Sequence, residues 1–467
     1  MKKRILSVFL SFILITVAFA GCSNFTPLTG GPTLEASVSG NGGMAVRKGD
    51  YLYFVNGFTN SSALIEGANE YGNEENSAIY RAELDSSGEL MIDEEGNLIN
   101  IEILIPKVVG FNNGGFYIFD DYIYYATPTI LKDRSGAVRF DLVDFYRAKL
   151  DGTKVKKLYA TNDYPDTATF SFYKKDGDVQ LVLFDGTDLI SKKVSGSLGA
   201  TNVMASDISG AMLPEVTDYV YDTSIDNDTQ GYVYYTRALN DSDNTILELG
   251  NVLAKIEIGT TTEEVLVQDN INIISIYRIQ NNQLYYIKVS QNSVSNQVFT
   301  RSIEGDFEQN TEIKLTATFY DNMEMLDFDN GNNQGVVVVD EGKLIRITDV
   351  FSEDGYTLLS EDVTKVLFTR GDYVYYTFEN RLMRINYKTL AIDYLSNEDE
   401  VVYIEPKLNI DYDSEYVYYY VTHVNNLKES HYLHRTKVAT TTFEGEFVGV
   451  LEEADIPEPE TEEEPTE

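Results

Sequence analysis

The chain has no tryptophan, a single cysteine (Cys22) and three histidines (His423, His431 and His434) in 467 residues. One cysteine excludes an intramolecular disulfide, so stability has to come from packing. Basic residues are also scarce: 36 Lys and Arg stand against 75 Asp and Glu, a formal charge of −39. Such a body repels phosphate backbones, and nucleic acid is not expected as a partner. Beyond the N-terminal segment no apolar run is long enough to cross a membrane. The sequence carries no G-x-S-x-G elbow and no phosphate-binding glycine loop, and its carboxylates are too numerous for one catalytic pair to stand out.

What is present points to β structure. Tyrosine occurs 34 times, Phe and Tyr together make up 12% of the chain, and 43% of residues are hydrophobic. Aromatic and β-branched side chains suit a pleated surface. The length exceeds the usual size of one core, so the chain has to divide into domains or repeat a unit about an axis.

The N-terminus, "MKKRILSVFLSFILITVAFAGCSN", joins a basic start to an apolar stretch from Ile5 to Ala20 and small residues before Cys22. This is an export signal, residues 1–21, excluded from the fold. "FAGC" resembles a bacterial lipobox, in which the cysteine is lipidated and becomes the mature N-terminus; cleavage after Ala20 and an uncleaved anchor are the alternatives. Lipidation is preferred because it explains why the one cysteine stands there. Residues 22–43 read as a flexible tether, which at about 20 residues would span roughly 25 Å. The expected address is therefore extracytoplasmic and lipid-anchored, on the outer face of the cytoplasmic membrane or on an outer membrane if there is one. Residues 452–467, with nine acidic side chains, read as a disordered tail.

Between these ends one phrase recurs: "GDYLYFV" (49–55), "DDYIYYA" (120–126), "GDVQLVL" (177–183), "QGYVYYT" (230–236), "NNQLYYI" (281–287), "NQGVVVV" (333–339), "GDYVYYT" (371–377) and "SEYVYYY" (414–420). A second apolar run follows each copy, and the interval is on the scale of a propeller blade. Segment two spells out four strands: "GGFYIF", "DYIYYAT", "DFYRAKL" and "KVKKLYA". In "YVYYT" Tyr373, Tyr375 and Thr377 share one face while Val374 and Tyr376 share the other. A sheet apolar on both faces needs a neighbour on each side, which radially stacked blades supply. The reading is an all-β propeller over residues 44–451, with eight blades, or seven as the alternative. "EFVGVLEE" should close the ring in the last blade, and "TLEASV" could add a strand there.

"YIYYAT" with "FYRAKLDG" resembles the YWTD-type repeat of lipoprotein-receptor ectodomains, and more closely a bacterial lipoprotein-receptor-like propeller family of unassigned function. Tyr124, Tyr234, Tyr285, Tyr375 and Tyr418 take the place of the leading Tyr, and the next residue is Tyr instead of Trp. The following Asp is missing, with Thr127, Arg237, Lys288, Phe378 and Val421 in its place, which puts Asp-based bonding between blades in doubt. The resemblance implies an extracytoplasmic propeller and assigns no ligand.

Three constellations invite chemistry. Arg81, Arg147, Lys255, Arg301, Arg346, Arg384 and Arg435 recur at one point of the third strand, with Ser191 and Lys192 in segment three. They could ring an anionic ligand, but stems lying on apolar surface with heads paired to carboxylates is the preferred reading. The histidines sit in the last segment, yet His431 and His434, three apart on one strand, face opposite sides, which argues against zinc. "DNDTQG" places Asp226 and Asp228 as in the start of a calcium loop, but Arg237 stands where a bidentate Glu belongs; an Asx-rich turn is preferred, and calcium is the one cofactor kept open.

The expected function is a non-catalytic binding propeller, monomeric, engaging a surface protein or glycan. The alternatives are a glycan- or peptide-acting envelope enzyme, and an envelope assembly factor of the kind whose propeller motifs contain the Trp this chain lacks. Second-to-third connections are long in segments one, two and eight, which a closed ring brings into one arc on one rim, and long loops on a rigid scaffold are where binding is usually found.

Overall fold

Each of the eight repeated runs holds the second strand of its own antiparallel sheet, four-stranded in the first seven and enlarged to six strands in the last by a broken first strand and a strand from blade one, in the computed structural model that describes residues 42–450 apart from loop segments, chiefly 60–76, 110–114, 136–141, 162–168, 214–230, 240–250, 291–295, 327–333, 404–410 and 439–444. The sheets span 45–105, 116–160, 169–205, 208–268, 272–316, 323–360, 363–394 and 402–448. They are the blades of an eight-bladed β-propeller. Among the described residues the helical turns are two short 3₁₀ segments, Phe307–Gln309 and Glu353–Gly355.

Alternation decides the stacking. In blade seven, Val374 and Tyr376 share a core cluster with Leu326, Val337 and Leu344 of blade six. Tyr375 and Leu382, on the other face, join Val417 and Tyr419 of blade eight. Blade five repeats the device, with Leu284 and Tyr286 against Tyr234 and Leu253 of blade four, and Tyr285 and Ile287 against Met323 and Val336 of blade six. Burying each Val or Leu contributes about 1.5–3 kcal/mol, and both faces of every central strand contribute.

The ring closes where Tyr416, Tyr418 and Tyr420 of blade eight enter one cluster with Leu52 and Phe54 of blade one. Blade eight takes its fourth strand, Glu446–Val448, from the expected "EFVGVLEE" stretch. "TLEASV" lies outside the described residues. At the start of the body, Gly42 N–H donates to Phe116 O and Gly115 N–H to Gly42 O, at 3.2 and 2.5 Å. A Cβ on Gly115 would stand 1.6 Å from Gly43 O, so this backbone crossing requires glycine.

Candidate binding rim

Antiparallel order within a blade puts the second-to-third and blade-to-blade connections on one rim, and the first-to-second and third-to-fourth turns on the other. Blade eight stands out on the first rim. Its second and third strands, Tyr416–Asn425 and Lys428–Lys437, are ten residues each, against five to eight in other blades. "HVNNLKES", read from sequence as a loop, is instead a projecting β-hairpin, its last ladder pair joining Asn425 and Lys428. At about 3.3 Å per residue the hairpin rises roughly 10 Å above its neighbours. Val424 near its tip is exposed.

Blade one's insertion begins by extending this hairpin. Phe58–Thr59 forms a short strand pairing antiparallel with His431 and Ser430. The chain then passes through 60–76, outside the described residues, and returns at Ser77, whose N–H donates to Asn56 O at 2.9 Å. Blades eight and one are therefore joined on the rim by strand pairing. Blade four has a long second-to-third connection as well, 238–251, away from the arc, which the sequence reading passed over. On the opposite rim the first-to-second turns are tight in blades one, two, three, five and seven, while those of blades four and six run over 213–231 and 326–335, and blade one's third-to-fourth connection is long as well, 84–100.

Two side-chain latches hold the closure beneath this arc. Asn56 donates through Nδ2 to Val450 O and accepts from Val450 N–H, both at 2.9 Å. On the opposite rim, blade one's third-to-fourth connection carries Glu89 across to blade eight, where it accepts from Tyr416 Oη at 2.5 Å, from Lys437 Nζ at 2.6 Å and from Arg435 at 3.3 Å. Burial raises the Glu89 pKa, but the bonds from Lys437 and Tyr416 outweigh it and hold the carboxyl below its ordinary value.

The recurring cations are structural. Each lies over an aromatic ring at 4.1–5.2 Å: Arg81 on Tyr51, Arg147 on Tyr122, Lys255 on Tyr232, Arg301 on Phe307, Arg346 on Tyr387, Arg384 on Tyr373 and Arg435 on Tyr416. Arg81, Lys255, Arg384 and Arg435 pair with Glu102, Glu264, Asp393 and Glu446 on the fourth strand of their own blades, and Arg301 with Glu312 just before its fourth strand. Several guanidinium groups also reach the next blade: Arg81 to Leu150 O, Arg147 to Val194 O and Gly196 O, Arg384 to Val438 O and Arg435 to Gly88 O. In blade three Ser191 is buried and Lys192 donates to Gly199 O. Arginine on carbonyl, from the third strands, thus bridges neighbouring blades.

The histidines behave differently. His431 stacks on Tyr403, ring centroids 3.7 Å apart, with Nδ1 at 3.1 Å from Thr422 Oγ1. On the opposite face His423 and His434 meet, Nε2 to Nε2 at 3.5 Å. His434 Nδ1 lies 2.9 Å from Glu400 Oε1, in the connection from blade seven, off the axis of an ideal hydrogen bond but within ion-pair reach. Glu400 also accepts from Asn397 N–H at 2.9 Å, Asn397 Nδ2 at 3.0 Å and Tyr419 Oη at 3.1 Å. Burial raises its pKa, yet His434, Asn397 and Tyr419 together bring it below the ordinary value. Spacing along one strand hid this arrangement, because the partner of His434 comes from across the hairpin. Cys22, Asp226 and Asp228 lie outside the described residues, as do the export signal and the acidic tail; Asp226 and Asp228 fall in the first-to-second connection of blade four.

No protein-family model matches the chain, and no curated protein matches it. Solved structures do. Dipeptidyl peptidase 4 of Porphyromonas gingivalis is 11% identical with a TM-score of 0.45, the match covering 88% of this chain and 61% of that one. A prolyl endopeptidase is 12% identical with a TM-score of 0.42, covering 73% of this chain; the match spans only half the length of that enzyme. The nidogen/laminin complex supplies a third, 12% identical, TM-score 0.25, covering 68% of this chain and 89% of that one.

Proposed function

We propose that the chain is a non-catalytic binding module, held outside the cytoplasmic membrane by lipid on Cys22, that grips a surface protein or glycan with the rim of blades eight, one and two. The supporting observation is the projecting hairpin of blade eight with Phe58–Thr59 added to it, because an extended, ladder-bonded platform at the base of an insertion is a rigid mount for a recognition loop.

Removing residues 60–76 while keeping Phe58 and Thr59 should leave the thermal melt almost unchanged and abolish capture of the envelope partner. Capture that survives this deletion, and a matching trim of 130–141 in blade two, would move the site off the arc. Turnover of cell-wall glycans or peptides by the purified chain would favour the enzyme alternative, and a defect in membrane-protein assembly on deletion would favour the assembly factor. Replacing Cys22 by Ala should release the protein from membranes; continued membrane retention would remove the lipid anchor from this reading.

A further inference from the structure

We propose that His423 and His434 form a binding site for a borderline divalent transition-metal ion of the zinc class, with Glu400 as the residue that orients His434. This rests on the geometry of blade eight and not on the binding role of the rim. A hydrogen bond between ring nitrogens has its optimum near 2.9–3.0 Å, and 3.5 Å is at the far end of its range. Two imidazoles on one tetrahedral zinc, each at about 2.0–2.1 Å, hold their nitrogens about 3.3–3.4 Å apart. The separation in blade eight is close to that value, and it is the two Nε2 atoms that converge.

The surroundings follow the logic of a metal ligand sphere. A ligating histidine commonly has its other nitrogen set against a carboxylate, which fixes the ring and raises its basicity. His434 has Glu400 at 2.9 Å in that position. Glu400 is itself fixed by Asn397 and Tyr419, and Tyr419 Oη lies 3.1 Å from Thr436 Oγ1, which donates to Leu395 O at 2.6 Å. Tyr432 and Phe447 wall the pair, with ring centroids 5.3 and 6.2 Å from that of His423. His434 is buried and His423 half-buried, so an ion would reach the pair past His423. Among the described residues no third His, Cys, Asp or Glu completes the set, which leaves coordination positions open to water or to a ligand atom. Imidazole donors select zinc, copper or nickel over calcium or magnesium.

The test is a competition titration of metal-stripped full-length protein with Zn²⁺, paired with tautomer-sensitive nitrogen NMR of the histidines. One equivalent should bind, with the Nε2 signals of His423 and His434 moving and those of His431 staying. His423→Gln, at the more accessible position, should weaken binding at least tenfold, and Glu400→Gln about 10–100-fold, as loss of a supporting carboxylate usually does. Asp226→Asn with Asp228→Asn should change nothing. Binding undiminished in His423→Gln, stationary His423 and His434 signals in the wild type, or no uptake at millimolar Zn²⁺ would each overturn the site and leave the pair as a hydrogen-bonded contact.

Discussion

Asn56 and Val450, 394 residues apart, are joined by a reciprocal pair of 2.9 Å hydrogen bonds, side-chain amide to backbone N–H and C=O. One residue closes the second strand of blade one and the other follows the last strand of blade eight, so this pair fastens the ring at its seam. Asn56→Ala removes both bonds to the backbone of the exposed Val450, at a net cost of about 0.5–1.5 kcal/mol for each. Urea unfolding should show that loss, and limited proteolysis should show cleavage appearing first at the seam.

Glu89 makes the half of the seam on the rim opposite the insertions sensitive to acid. Its folded pKa is below the ordinary value, so its contribution is fully present above about pH 4.5 and is lost as pH falls through the lowered folded value. Melts recorded from pH 7 down to 3 should show wild type losing stability over that interval. Glu89→Gln should start lower at pH 7 and lose less on acidification. Equal slopes for the two proteins would mean that the latch does not contribute.

Buried tyrosines set the alkaline limit. Burial pushes Tyr124 up to about 12 and raises Tyr53, Tyr125, Tyr234, Tyr286 and Tyr419 further. Because the folded values exceed the unfolded one, the neutral phenols stabilise the fold below about pH 10, and this stabilisation is lost as pH rises above it. Phenolate absorbance should therefore rise in two steps: exposed tyrosines near pH 10, then a cooperative jump coinciding with loss of the β-sheet signal. One smooth titration with the fold intact would show that these rings are not sealed between blades.

Arg147 tests whether arginine-to-carbonyl bonds bridge the blades. It donates to Val194 O at 2.7 Å and Gly196 O at 2.9 Å, two acceptors that suit a planar fork. Arg147→Lys keeps the charge but not the fork, and should cost about 1.5–3 kcal/mol, the worth of one charged hydrogen bond. Wild-type stability in that variant would assign the effect to charge alone.

The blades were readable because the period-two pattern is local and both faces are apolar; in segment two, the four strands match the four stretches quoted from sequence to within one residue beyond either end, the second running on to Pro128 and the third starting at Val143. Even "GDVQLVL" and "NQGVVVV", the two copies without tyrosine, became second strands of complete blades. The seam was not readable. Asn56 and Glu89 carry no periodic signal, the recurrence of Arg435 does not name its partner, and each bond of the seam joins residues hundreds of positions apart. His423 and His434 escaped for another reason. The hairpin register sets His434 opposite Tyr419, four residues from His423, and the rings meet only because both side chains lean along the sheet.

Four strands per blade is an even number, and that fixes where the polypeptide arrives and departs. Gly42 comes in beside Phe116 and Val450 goes out beside Asn56, both on the rim that carries the insertions. Any leash or cargo attached at either end hangs over that face, as a lamp cord fixed on the lit side of the lamp. A tether joined at this end would therefore start on the same side as the insertions. For the same reason a reporter is better placed in the Gly371–Asp372 turn on the far side than at a terminus, where it would compete for the space it was meant to observe.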